Sequence, residues 1–298
     1  MNQIIISGFA DEISPMLDRQ LEAVTGMGMQ FICLRTADGK SIADYTAEEA
    51  EKQLLPRLRR AGVGVSSLGS PIGKVEITDD EGFRQQLLQL EELCKICGIL
   101  GTRFIRIFSF YLPDGADPDK YRDTVMDRLR RFAAIAETHG VILLHENEKG
   151  IYGDTGRRCL DLLETVHSPN LAAAFDFANF VQCGEDPSAC WELLKGCVRY
   201  FHIKDALAGK NENVLCGTGD GKIRTILADA IRRQHYRGFL TLEPHLVLFD
   251  SLASLEKAAA EDVIRVNKYS SGEEGYAAQY HALTELLHKI ENEEEAEL

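Results

Sequence analysis

Eight short apolar runs alternate with amphipathic stretches along the chain, and few architectures accept that pattern. The runs are Gln3-Ile-Ile-Ile-Ser-Gly8, Phe31-Ile-Cys-Leu-Arg35, Gly62-Val-Gly-Val-Ser-Ser-Leu68, Arg103-Phe-Ile-Arg-Ile-Phe108, then 141–146, 171–176, 198–203 and 238–243. Between them the sequence predicts helices over 15–26, 47–61, from Asp79 or Asp80 to 98, over 118–139 and 154–166, from Asp186 or Ser188 to 196, and over 222–234. Leu17, Leu21 and Val24 share one side of the first, Thr46 is a good N-cap for the second, and Gly140 closes the fourth. Strands alternating with helices imply a parallel sheet with right-handed crossovers. Eight such units in 298 residues match a closed (β/α)8 TIM barrel, a fold of about 250 residues. A doubly wound open sheet is the alternative, but Ser7-Gly-Phe-Ala-Asp-Glu12 lacks the glycine-rich turn of a dinucleotide site. With no linker or low-complexity run, one domain is expected over residues 1–298, ending in C-terminal helices from about 250 to 298 (250–266 and 276–291).

Four of the runs end abruptly in a group that can ligate a metal. Val141-Ile-Leu-Leu-His-Glu-Asn-Glu148 carries Glu146, Ala172-Ala-Ala-Phe-Asp176 ends in Asp176, Val198-Arg-Tyr-Phe-His202 in His202 and Phe239-Leu-Thr-Leu-Glu243 in Glu243. The spacings are 30, 26 and 41 residues. Each group therefore falls one βα unit after the last, with the extra length in a loop after the seventh strand. Two-residue alternation gives Ala172, Ala174 and Asp176 one face, and Tyr200, His202 and Lys204 another. Three carboxylates and an imidazole form an oxygen-rich, hard site for one divalent ion: Mn, Mg or Co, with Zn also compatible. Taken singly, an acid at a strand end is more often a helix N-cap or surface charge, and His202 alone reads as a hydrogen-bonded core histidine. Glu148 shares the parity of Glu146 and competes with it, but lies past the apolar run.

Composition narrows the partners. A net charge of −14 argues against nucleic acid, and no apolar run approaches the ~20 residues of a membrane span. Part of the acidity falls in Glu291–Glu297. Cys94 and Cys97 form the one CxxC, inside an amphipathic helical pattern with no second pair to complete a zinc site, so buried free thiols are expected. With no signal peptide ahead of Ile4, a reduced, cytoplasmic setting follows as an expectation.

Leu144-His-Glu-Asn-Glu-Lys149, Phe175-Asp-Phe-Ala-Asn179, Tyr200-Phe-His-Ile-Lys-Asp-Ala206 and Leu242-Glu-Pro-His-Leu246 resemble motifs of the sugar phosphate isomerase/epimerase family, the xylose-isomerase-like TIM barrels. The resemblance runs from Phe9-Ala-Asp-Glu12 to Leu246. It implies a (β/α)8 barrel with a divalent metal on Glu146, Asp176, His202 and Glu243, and it assigns proton transfer to Glu146 and Glu243. One departure stands out: many members carry a histidine three residues after the strand-six aspartate, where this chain has Asn179.

The expected reaction is isomerisation or epimerisation of a sugar or sugar phosphate. A proton is abstracted next to a carbonyl, and the metal stabilises the enediolate. Which glutamate is the base stays open. A small substrate, anionic or highly hydroxylated, would be held by Arg35, Lys74, Arg106, Lys204 and His245. The alternative for Arg35 and Arg106 is ion pairing with Glu12 or other mouth carboxylates. Gly217-Thr-Gly-Asp-Gly221 can offer backbone amides to a phosphate or be a plain loop. Competing functions are an inosose-type dehydratase on the same site and a non-catalytic metal- and sugar-binding protein. A homo-oligomer is compatible with either.

Overall fold

A computed structural model describes residues 4–210, 212–249 and 268–297, with the side chains of 293–297 left out. Eight strands form one parallel sheet: β1 (Ile5–Gly8), β2 (Phe31–Leu34), β3 (Gly64–Leu68), β4 (Phe104–Ile107), β5 (Ile142–Glu146), β6 (Leu171–Asp176), β7 (Val198–Ile203) and β8 (Phe239–Leu242). Each strand pairs with its sequence neighbours from β2 to β8, and β8 returns to β1. A parallel bridge between Phe9 and Cys33 brings β1 and β2 together, so the barrel is nearly closed. The expected TIM barrel is the observed fold.

The helices are α1 (Leu17–Gly26), α2 (Leu55–Ala61), α3 (Asp80–Leu100), α4 (Arg122–His139), α5 (Gly156–Val166), α6 (Phe177–Gln182), α7 (Pro187–Leu194), α8 (Ile223–Arg232) and α9 (Gly272–Glu297). Thr46 and Glu49 form a reciprocal capping box where a helix is expected over 47–61. That helix is interrupted by a π turn over Ala50–Leu54, two residues ahead of Pro56. Proline has no N–H and its ring crowds the preceding turn, so the ladder widens there. Gly140 closes α4 in the left-handed conformation, with φ 65°. The helix expected over 250–266 lies outside the described residues.

The pleat sorts the apolar residues of the barrel strands into two clusters. Leu143, Ala173, Phe175, Phe201, Ile203, Leu240 and Leu242 point outward and join the main cluster under the helices. Leu144, Ala172, Ala174 and Tyr200 form a separate cluster with Phe104, Ile142 and Phe239. Above this inner layer Tyr200 Oη contacts Ser66 Oγ at 2.8 Å and accepts from Thr241 Oγ1 at 2.6 Å. The next inward positions are Glu146, Asp176, His202 and Glu243, so strand alternation lifts all four to the C-terminal rim together. Among the described residues no helix is long and apolar enough to cross a membrane. The eight cysteines are free, and Cys94 and Cys97 are buried in α3 as expected.

Candidate metal centre

At the C-terminal rim, Glu146, Asp176, His202 and Glu243 each offer a ligand atom, and these atoms lie within 4.8 Å of one another. All four side chains are buried, none more than 3% exposed. His202 turns Nδ1 to Glu146 Oε1 at 2.7 Å and to Glu243 Oε2 at 3.6 Å. The edges of Phe9 and Tyr200 approach the ring, with centroids 5.1 and 5.6 Å away. Each carboxylate keeps one buried oxygen without a hydrogen-bond partner: Glu146 Oε2, Asp176 Oδ2 and Glu243 Oε2. Unpartnered buried carboxylate oxygens are costly unless something binds them. Three such carboxylates converging with an imidazole fit a divalent cation by charge and by donor type. The residues present therefore suit the group that the sequence pattern implies.

Asp176 does two jobs. Its Oδ1 accepts the Asn179 N–H at 2.8 Å and caps α6, while Oδ2 stays in the cluster. A cap and a metal ligand are thus not exclusive readings of this aspartate. Asn147 holds the backbone of Asp176 on both sides, donating Nδ2 to its carbonyl at 2.9 Å and accepting its N–H on Oδ1 at 3.0 Å. Asn179, where many family members carry histidine, donates Nδ2 to the Asn147 carbonyl at 2.9 Å. It belongs to this backbone clamp.

The basic side chains are paired with acids. Arg35 reaches Asp11 Oδ2 at 2.9 Å, Glu243 Oε1 at 2.8 Å and Glu12 Oε1 at 3.5 Å. Arg106 lies 3.3 Å from Glu146 Oε2 and 3.8 Å from Glu243 Oε1. Lys204 Nζ stands 3.2 Å from Asp176 Oδ2 and 3.6 Å from Glu243 Oε2. Lys74 pairs with Glu148 at 3.2 Å, which takes Glu148 away from the four-residue cluster. Ion pairing, the alternative raised for Arg35 and Arg106, is the geometry found. His245 sits next to Glu12, its N–H donating to Glu12 Oε2 at 2.8 Å.

Electrostatics divide these groups. Burial raises Glu146, but His202 and Arg106 outweigh it and hold the carboxyl below its ordinary value. Burial also works against Glu243, yet Lys204 foremost keeps it well below. Asp176 goes the other way, pushed up to about 7 by burial against the pull of Lys204. Burial would lower Lys204, but Asp176 and Glu243 hold it well above its usual value. Burial pushes Glu12 up to about 8 against Arg35. His245 is driven well below the histidine range, by burial first and then by Lys204.

The glycine loop is not a phosphate cradle. Its amides are engaged by the buried carboxylate of Asp205: Gly217 N at 2.9 Å and Gly219 N at 3.0 Å on Oδ2, Gly221 N at 2.9 Å and Ala206 N at 3.0 Å on Oδ1. Gln279 of α9 ties the same loop to the barrel, accepting from Cys216 N at 3.0 Å and donating to the Ile203 carbonyl at 3.1 Å. Glycine spacing on paper shows that amides are available, not which acceptor the fold supplies. Glu12 escaped the sequence reading as a site residue, although its place just past the first strand was a signal.

A (β/α)8 barrel with a buried three-carboxylate, one-histidine cluster at its C-terminal rim defines a class of candidate metal-dependent enzymes. Residues 21–266 match the xylose isomerase-like TIM barrel family, and the chain belongs to it. Among characterised proteins it is similar to a 3-dehydroshikimate dehydratase of Bacillus anthracis, 24% identical over 131 residues, covering 44% of this chain and 47% of that protein. It is likewise similar to a probable L-ribulose-5-phosphate 3-epimerase of Mycoplasma pneumoniae, 24% identical over 147 residues, 48% of this chain and 47% of that one. The chain thus spans about half the length of each of these relatives (47%). In structure it resembles an L-ribulose 3-epimerase, with TM-score 0.75, 19% identity and 99% and 98% of the two chains covered. A xylose isomerase-like protein from Mycobacterium smegmatis in complex with magnesium gives TM-score 0.71, 15% identity and 96% and 97% coverage. The IOLI protein with a bound zinc atom gives 0.74, 14%, and 96% and 99%.

Proposed function

We propose that this chain is a divalent-metal-dependent isomerase or epimerase of a small sugar or sugar derivative. The observation that carries this reading is the set of three buried carboxylates gathered with His202, each keeping one oxygen without a hydrogen-bond partner. Glu146, Asp176, His202 and Glu243 would hold the ion, with manganese, magnesium or cobalt preferred by the oxygen-rich donors and zinc also compatible. A divalent ion there supplies Lewis-acid polarisation of a carbonyl.

Glu146 and Glu243 do the proton chemistry. Both are held ionised by neighbouring cations, so either carboxylate can accept the proton next to the carbonyl. The other returns a proton. Return to the same carbon from the opposite side gives the epimer, and return to the neighbouring carbon gives the aldose–ketose isomer. Arg106 and Arg35 fix the two carboxylates, and with Lys74, Lys204 and His245 they line the substrate's approach. The epimerase relatives support this reading. A dehydratase on the same residues is the second reading, favoured by the stretch shared with the Bacillus anthracis enzyme.

The test is proton NMR in deuterium oxide with the manganese-loaded chain and a panel of ketoses, aldoses and inososes. Deuterium uptake without change of formula supports isomerase or epimerase, and loss of water supports the lyase. Glu146→Gln is expected to keep the fold and lower uptake by roughly 10²- to 10⁴-fold, the usual contribution of a general base. Undiminished uptake would sink its role.

A further inference from the structure

Among the described residues, the buried polar atoms without a hydrogen-bond partner around β1, β2 and β8 include the Tyr276 hydroxyl, behind β1, and three at the mouth with no part in the proposed proton transfer. These three are Glu12 Oε1, Arg35 Nη2 and His245 Nε2. Their residues are 5%, 2% and 4% exposed. His245 Nε2 stands 3.5 Å from Glu12 Oε1 and 3.6 Å from Glu243 Oε1, and Arg35 Nη2 is 3.5 Å from Glu12 Oε1. The other Glu12 oxygen accepts the His245 N–H, so the carboxylate is fixed. His245 itself sits in the left-handed region at φ 47°. Backbone strain beside a knot of unsatisfied polar groups marks a place built for a ligand.

The ligand is not a second cation. Glu12, Glu243 and His245 do come within 4.8 Å of one another through candidate ligand atoms. The Arg35 guanidinium already serves those carboxylates, at 2.8 Å from Glu243 Oε1 and 3.5 Å from Glu12 Oε1. Nor does the knot suit an anion. Phosphate and carboxylate oxygens only accept, and here they would face Glu12 and Glu243 at close range. Among the described residues, Arg35, Arg106, Lys204 and Lys74 are each engaged by carboxylates, and the glycine-loop amides are engaged by Asp205. A hydroxyl both donates and accepts, so it can meet Glu12 Oε1 and Arg35 Nη2 at once.

We infer that Glu12, Arg35 and His245 form a hydroxyl-binding subsite, and that the substrate is an uncharged polyhydroxylated carbonyl compound rather than a phosphorylated one. The inference rests on the proposed sugar chemistry and narrows its substrate class. It adds Glu12 to the substrate-binding residues.

The test is calorimetric titration of the manganese-loaded full chain with ketopentoses, ketohexoses and inososes, and with monophosphates of the same sugars. At least one uncharged compound is expected to bind, and its phosphate more weakly. Glu12→Gln is expected to weaken that binding about tenfold, as loss of a charged hydrogen-bond acceptor does. Manganese affinity and stoichiometry should not change, and in turnover the effect should fall on KM and not on kcat. His245→Asn, which tolerates the left-handed backbone, gives an independent second variant with the same expected pattern. Preference for the phosphates, binding of neither class, unchanged affinity in both variants, or a second manganese lost with Glu12→Gln would each overturn the subsite. Uncharged binding without deuterium uptake would sink the proposed reaction and leave the subsite standing.

Discussion

Two fully buried aspartates at the C-terminal end of the barrel behave in opposite ways. Asp176 ends β6 and Asp205 lies just beyond β7. Asp205 accepts four backbone amides, two on each oxygen, and has no unfilled capacity pointing at the mouth. Asp176 accepts one, from Asn179, and leaves Oδ2 without a hydrogen bond 3.2 Å from Lys204. Burial raises both carboxyls, but the four amides oppose it at Asp205, while Lys204 opposes it at Asp176 and still leaves that group near 7. Residue type and burial are the same in the two places. What separates a structural carboxylate from a candidate ligand is hydrogen-bonding capacity left unmet in the fold.

The sharpest way to break this comparison is to neutralise each aspartate and look for crossed effects. Asp176→Asn keeps an oxygen for the α6 cap but removes the charge. Metal affinity, measured by calorimetry or by metal content after dialysis, should fall by more than the roughly 10- to 100-fold typical of an outer-shell change, with the melting temperature of the metal-free chain held or raised. Asp205→Ala should do the reverse. Stranding buried amides costs about 1–3 kcal/mol each where water cannot reach them. Two of the four, Ala206 N and Gly221 N, make buried bonds, so a loss of about 2–6 kcal/mol is expected, with fast amide exchange at Gly217, Gly219 and Gly221 and metal content retained. Equal metal loss in both variants would erase the distinction.

A smaller effect follows from pH. With Asp176 among the proposed ligands, metal binding would require it ionised, so below about pH 7 an ion would have to displace its proton. Affinity should then fall by up to about tenfold per pH unit on this account, measured by titrations between pH 8 and 6. In the metal-free chain the linkage has a definite sign. Native Asp176 keeps its proton up to about 7, while the unfolded residue releases it near the ordinary 3.8. Between those values the native state binds more protons, so stability falls as pH rises. Glu12, raised to about 8, adds in the same direction over its own range. Asp176→Asn should flatten the slope of melting temperature against pH in the presence of chelator, and Asp205→Ala should flatten it less.

The sequence carried the barrel because each strand is an apolar run cut off by a charged or polar residue, a contrast that survives without tertiary information. β6 and β7 lie at the residues expected, Leu171–Asp176 and Val198–Ile203. The convergence of Glu146, Asp176, His202 and Glu243 was legible for the same reason, since parity and one-unit spacing are properties of the chain alone. α6 was not read from the sequence because its six residues, Phe177–Gln182, are too few for a helical period to show. What else was illegible depends on partners distant in sequence. The glycine loop suggested an external anion because nothing local reveals that Asp205 folds back into it. Arg35 and Arg106 looked equally suited to substrate and to ion pairing, and only the fold brings Asp11, Glu146 and Glu243 within reach.

The finest test of the Asp205 nest uses two glycines. A Cβ on Gly219 would stand 2.4 Å from Asp205 Oδ1 and 2.6 Å from the Ala206 carbonyl oxygen, both fixed by the hydrogen bonds of the nest. Gly219 is not in the left-handed region, so the cost of Gly219→Ala is steric rather than conformational. Overpacking of this kind costs roughly 1–3 kcal/mol, reduced by the ~0.4–1 kcal/mol that alanine gains through the unfolded chain. A net loss of about 1–2 kcal/mol is expected from denaturant unfolding, with the metal still bound. Gly98 is the control. It lies inside α3, has a negative φ, and a Cβ there would meet nothing within 4 Å. Gly98→Ala should instead stabilise the chain by up to about 1 kcal/mol, the helix-propensity difference between the two residues. Opposite signs at these two glycines would mean that Gly219 is required by the carboxylate it encloses. Equal signs would mean that the loop yields, and the nest would then be a consequence of the fold and not a constraint on it.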